Sequence, residues 1–92
     1  MTLYLTGFLI CDTLAEADRV SHLVAEHIRL TRAEPGCLSF DMVRSHEDPA
    51  RFAVREAFRD RPAFEAHQAR TRASVWWRET QTIRREFQTS EE

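Results

Sequence analysis

Glu34-Pro35-Gly36-Cys37-Leu38-Ser39-Phe40, then Phe52-Ala53-Val54-Arg55-Glu56-Ala57-Phe58-Arg59-Asp60, then Phe64-Glu65-Ala66-His67 decide the fold. The stretch reads as a helix end, a β-hairpin and the start of a new helix. Pro35 disfavours helical geometry at Glu34, and Gly36 allows a sharp turn. Leu38, Phe40 and Met42 share one face of a strand over 37–45. Phe52, Val54, Glu56 and Phe58 share one face of a strand over 52–59. Glu47-Asp48-Pro49-Ala50 between them is turn chemistry. Pairing Phe40 with Phe58 sets Met42 opposite Glu56 with Arg44 diagonal to it, although alternation alone leaves that register open. Asp60 is an N-cap, and Pro62 suits a first helical turn. The helix that follows carries Phe64, His67 and Thr71 on one side.

Upstream, residues 2–11 are apolar on both faces. Leu3, Leu5 and Leu9 point one way, and Tyr4, Phe8 and Ile10 the other. A strand apolar on both faces is covered on both. One helix layer covers one side of so short a chain, and a second copy is the simplest cover for the other. Thr13-Leu14-Ala15-Glu16 is a capping box. Behind it Val20, Leu23, Val24, His27, Ile28 and Thr31 recur at helical spacing, predicting a helix to about residue 33. Downstream, residues 73–78 continue as a helical segment with Trp76 and Trp77. Thr80 to Phe87 reads as a last strand, and residues 89–92 as a frayed tail.

The order strand, helix, strand, strand, helix, strand predicts an α+β, ferredoxin-like βαββαβ protomer with helices on one face of an antiparallel sheet. Two such sheets packed face to face would make a dimeric α+β barrel. The 92 residues form one domain with a core over 2–88, and a chain of this size often gains stability from association.

Composition narrows the function. The net charge of −2 gives no basic footprint for nucleic acid. No apolar run reaches the ~18 residues of a membrane span. The opening residues lack a secretory pattern. The two cysteines, Cys11 and Cys37, have no metal or redox spacing and read as reduced cytoplasmic thiols. No compact ligand spacing points to a metal, and no glycine-rich loop points to a nucleotide cofactor.

His67 is the first candidate for chemistry, because an imidazole turned to the sheet beside Phe64 can move protons near neutral pH. Its other reading is a core histidine satisfied by one hydrogen bond. Glu56 lies among Phe52, Val54 and Phe58, where a carboxylate needs a partner. It either supports His67 or Arg44 or forms a structural ion pair. Trp76, Trp77, Phe40, Phe58 and Tyr4 are candidates to wall an aromatic pocket, or else are ordinary core. Adjacent tryptophans sit about 100° apart on a helix, so only one of the pair is expected to face a given site. Arg70 and Arg72 complement a helix dipole or bind an anion. His27 reads as core within reach of the same cavity, and His22 and His46 as exposed.

The Glu34–Phe40, Arg51–Glu56 and Asp60–His67 segments resemble the antibiotic biosynthesis monooxygenase family, with a likeness running from about residue 3 to residue 87. The resemblance implies a cytoplasmic homodimer that oxidises a small phenol or hydroquinone with molecular oxygen as co-substrate and no metal or flavin. It implies catalytic roles for His67 and Glu56; Arg72, beside them, is the candidate to stabilise an anion. It implies a cavity aromatic from Trp76 or Trp77; Phe58, Phe40, Phe64 and His27 are the further candidates to surround the ring. Arg72 stands where many relatives have a second histidine, Phe58 where a tryptophan is usual, and Phe40 where a tyrosine is frequent. The haem-degrading branch uses an asparagine in the first strand, and this strand has none. Two other functions fit the same residues: a cofactor-free isomerase of a small carbonyl compound, and a non-catalytic small-molecule-binding dimer.

Overall fold

The computed structural model describes residues 1–92. Its elements run β1 (Leu3–Ile10), α1 (Leu14–Arg32), β2 (Cys37–Arg44), β3 (Arg51–Phe58), α2 (Arg61–Arg72), α3 (Val75–Thr80) and β4 (Arg84–Glu91). The strands form one antiparallel sheet in the order β2-β3-β1-β4. This is the ferredoxin-like protomer that the element order implies.

Local chemistry sets the boundaries. The Glu16 amide donates to Thr13 Oγ1 at 3.0 Å, and the Glu16 carboxylate reaches back to the Asp12 amide at 2.9 Å. The box therefore closes on the residue before the cap rather than on the cap itself. The Ala63 amide donates to Asp60 Oδ1 at 2.9 Å, and the Trp77 amide to Ser74 Oγ at 3.2 Å. Ser74 thus starts α3 as a separate short helix. Gly36 has ordinary backbone angles, so its role is space. A Cβ there would stand 2.3 Å from Ala63 Cβ, where β2 begins against α2.

The core fills the space between the helices and one sheet face. Leu3, Leu5 and Leu9 of β1 and Phe52, Val54 and Phe58 of β3 pack against Ala17, Val20, Val24, Phe64, Trp76 and Ile83. The other face of β1 presents Tyr4 and Phe8, 38 % and 39 % exposed, and Val43 of β2 is 62 % exposed. Uncovered aromatic side chains on a sheet face leave apolar area in water.

The pairing of β2 with β3, left open by alternation, is settled, and three expectations are corrected: the face of Leu38, the bounds of the last strand and the frayed tail. Phe40 pairs with Glu56, Met42 with Val54 and Cys37 with Phe58. From Ser39 onward the register lies two residues from the pairing of Phe40 with Phe58, and a bulge between Cys37 and Ser39 adds one more residue of offset at Cys37. The two-residue shift keeps Phe40 and Met42 on their expected face, but the bulge takes Leu38 off it, and Leu38 is exposed while Phe40 is buried. The last strand lies at 84–91, because α3 continues to Thr80. The residues expected to fray belong to that strand, with Thr89 paired to Leu5 and Ser90 to Tyr4, and Glu92 and Thr2 exchange two 2.9 Å backbone bonds. The polar tail is a sheet edge whose order comes from backbone pairing, which composition does not report.

Candidate active site

A cavity of about 170 Å³ opens between the sheet and the helices, lined among others by Glu56, His67, Arg72, Trp76, Trp77 and Arg85. β3 alternation turns Glu56 inward beside buried Val54 and Phe58. The α2 period turns His67 inward with Phe64 and Thr71.

His67 is held on both sides. Its Nδ1 lies 2.9 Å from Glu34 Oε1. The same carboxylate accepts from Arg70 Nε at 2.6 Å, and Arg70 also donates to Thr31 Oγ1 at 2.8 Å. A carboxylate only accepts, so the neutral ring carries its proton on Nδ1. That leaves Nε2 as the basic atom, 3.4 Å from Thr71 Oγ1 and 3.8 Å from Glu56 Oε1. Burial holds the imidazole below its ordinary titration range, while Glu34 pulls the other way. The ring is therefore a neutral base near pH 7.

Glu56 is the opposite case. Burial, and then the like charge of Glu34, push its carboxyl up to about 8. Oε1 is buried without a hydrogen-bond partner. Glu56 is thus largely a neutral acid at pH 7, beside the neutral base. Paired groups driven apart in this way suit proton transfer. Arg44, the other partner considered for Glu56, pairs with Asp18 at 2.8 Å.

The aromatic assignments divide. Trp76 and Trp77 both line the cavity, against the expectation that only one would. The 100° between them is bridged by the length of indole side chains on a short helix at the rim. Trp76 is buried and stacks on His27 at 4.9 Å, while Trp77 is half-buried beneath Arg85 at 5.0 Å. His27 lines the cavity too, pushed down to about 3 chiefly by burial, then by the His67 ring. Its Nδ1 has no partner. Phe40, Phe58 and Phe64 do not line the cavity. Phe58 and Phe40 pack against the His67 ring at 4.8 and 5.7 Å, and Phe64 stands behind Phe58 at 5.6 Å. Tyr4 is on the opposite sheet face. Arg72 lines the cavity from an exposed position.

Sequence reasoning missed Glu34, Gln68, Thr71, Arg85 and Phe87 as site residues. Glu34 had a signal: an acid at the end of α1 opposes the helix dipole and so calls for a specific partner. Arg85 and Phe87 had one in strand alternation with Ile83. No group of three or more His, Cys, Asp or Glu side chains is placed to hold a metal ion.

The family model for antibiotic biosynthesis monooxygenase matches residues 15–79. The chain belongs to this family. Solved structures agree in fold. A Bacteroides thetaiotaomicron protein named for the same family is 20% identical with a TM-score of 0.85, over 99% of this chain and 89% of its own. Rv0793 from Mycobacterium tuberculosis is 19% identical with a TM-score of 0.78, over 100% and 95%. A structure titled antibiotic biosynthesis monooxygenase is 25% identical with a TM-score of 0.79, over 96% and 93%. No curated protein matches the sequence. No helix is long and apolar enough to cross a membrane.

Proposed function

We propose that this family member is a cofactor-independent monooxygenase of a small phenol or hydroquinone, acting as a cytoplasmic homodimer. The observation that carries the reading is the neutral base His67 in an aromatic-walled cavity, its Nε2 3.4 Å from the Thr71 hydroxyl and 3.8 Å from the carboxyl of Glu56. His67 Nε2 takes the phenolic proton. The anion passes one electron to dioxygen, and the radical pair joins as a carbon–oxygen bond. Reprotonation gives a hydroperoxide, and loss of water leaves a carbonyl. One oxygen atom stays in the product and the other departs in water. Glu56, as a neutral acid, donates to the substrate's second oxygen. Arg72 stabilises the anion, and Trp76 and Trp77 pack the ring. The exposed aromatic sheet face supports a second copy as its cover.

Oxygen uptake with a panel of hydroquinones and phenols, corrected for spontaneous oxidation, tests the reading. A rate that incorporates labelled oxygen and falls by at least about a hundredfold in His67→Ala is expected. No enzyme-dependent uptake on any substrate would overturn it.

The acid–base pair Glu56/His67 also favours a second reading, isomerisation of a small carbonyl compound. There His67 removes a proton beside the carbonyl and Glu56 protonates its oxygen. Turnover that persists under nitrogen selects this reading.

A further inference from the structure

The thirteen basic residues are all arginines, and ten have a carboxylate within 4.0 Å. The three without one are Arg55, Arg72 and Arg85. Arg55 is exposed on the sheet face away from the helices. Arg72 and Arg85 both line the cavity.

Arg85 is the informative one. It is half-buried on β4, and its guanidinium donates only to neutral oxygens: Thr80 O at 2.8 Å, Ile83 O at 3.0 Å and Thr80 Oγ1 at 3.0 Å. Its flat face lies over Trp77. A guanidinium keeps its charge in proteins, and a partly buried cation with no counter-ion is costly unless one arrives. No other group in the cavity supplies it. Glu56 is the one acid in the lining and is held largely neutral, and His27 and His67 are neutral as well. Glu34 is already taken by Arg70 and His67.

The strand register gives the spacing. Arg85 pairs with Leu9, while Glu56 pairs with Leu5. The two are therefore about 13 Å apart along the strands and two strand spacings, about 10 Å, across the sheet at the backbone. They reach into the cavity from opposite ends. A volume of about 170 Å³ suits one substituted ring, since an apolar cavity of about 150 Å³ accepts benzene.

We infer that the ligand of this cavity is a hydroxylated aromatic carboxylic acid, its carboxylate on Arg85 with help from Arg72 and its hydroxyl at His67 and Glu56. This deepens the preceding reading of the same cavity and rests on its being the ligand site. A bidentate guanidinium–carboxylate contact is the geometry arginine provides best.

The test is binding to the full chain under nitrogen, followed by tryptophan fluorescence and calorimetry. The probes are the three hydroxybenzoates and 4-hydroxyphenylacetate, each against its neutral amide. Each acid that binds is expected to bind at least about tenfold tighter than its amide. The preference should shrink with added salt, because it is electrostatic. It should vanish in Arg85→Gln, fall partly in Arg72→Gln and survive in Arg29→Gln, an exposed control. Should Arg85→Gln not fold, the acid–amide comparison in wild type and Arg72→Gln still decides. Equal affinity for acids and amides, no binding of any acid at millimolar concentration, or a preference untouched by both cavity variants would overturn the inference. Oxygen uptake is a separate readout. Acid preference without uptake removes the oxygenase and keeps the anion site, whereas uptake on neutral hydroquinones without acid preference does the reverse.

Discussion

Glu34 Oε1 stands 2.9 Å from His67 Nδ1, and it fixes which nitrogen of the ring is basic. Glu34 does not line the cavity, so it acts through the imidazole as a positioning residue. Glu34→Gln removes the charge that favours the protonated ring. The low-pH limb, which His67 sets as the base, should therefore shift to lower pH, and kcat should fall at least about tenfold with KM little changed. A pH–rate profile reads this. An unshifted limb, or a change in KM alone, would show that Glu34 only holds α1 to α2.

Glu56 gives a stability signature. Its folded pKa, about 8, lies above the unfolded value near 4.5. Between those values the folded state holds the extra proton. Stability from this group is therefore full below about pH 4.5 and is lost as pH rises through about 8. Relative to Glu56→Gln, wild type should weaken across this window by up to about 1.4 kcal/mol per pH unit. Urea unfolding of both proteins at several pH values measures it, and the difference between them cancels the opposite trend of His67. A difference that stays flat across the window would mean that Glu56 is ionised in the fold.

These two groups show how much was legible in the sequence. Alternation put Glu56 among apolar neighbours, and helical spacing put His67 on an apolar face, so both reach the cavity as read. What joins them to Glu34 and Arg70 is long-range packing between the end of α1 and the middle of α2, and neither period nor propensity reports that. Phe40 and Phe58 were read as cavity walls because they share faces with the site. The observed register places Phe40 beside Glu56 and behind His67, so they support the imidazole instead. The β4 boundary was misread because pairing orders its polar end without any apolar pattern.

His27 is predicted to be a wall and not a base. Its Nδ1 is buried without a partner, its pKa is about 3, and its ring stacks on Trp76 at an interplanar angle of 9°. A phenyl ring can replace that stack without burying an unpaired nitrogen. His27→Phe should hold or raise stability by up to about 1 kcal/mol and keep turnover within a fewfold of wild type. Thermal melting and steady-state rates test this. A loss of turnover comparable to that of His67→Ala would assign His27 a proton-transfer role.

The uncovered sheet face yields the last prediction. Phe8 stands there 39 % exposed with the Arg51 guanidinium 4.8 Å from its ring, and Tyr4 lies on the same face four residues earlier in β1. None of these side chains packs in the core between sheet and helices, so a polar replacement leaves the protomer's own packing intact. If a second copy covers this face, Phe8→Asp buries a carboxylate at the interface, where an unpaired charge is strongly unfavourable. Sedimentation and light scattering should then find a dimer for wild type and a monomer for the variant. The variant should retain its far-ultraviolet circular dichroism, and its melting temperature should fall and stop rising with protein concentration. A dimer that survives Phe8→Asp with unchanged affinity would place the contact elsewhere on the chain.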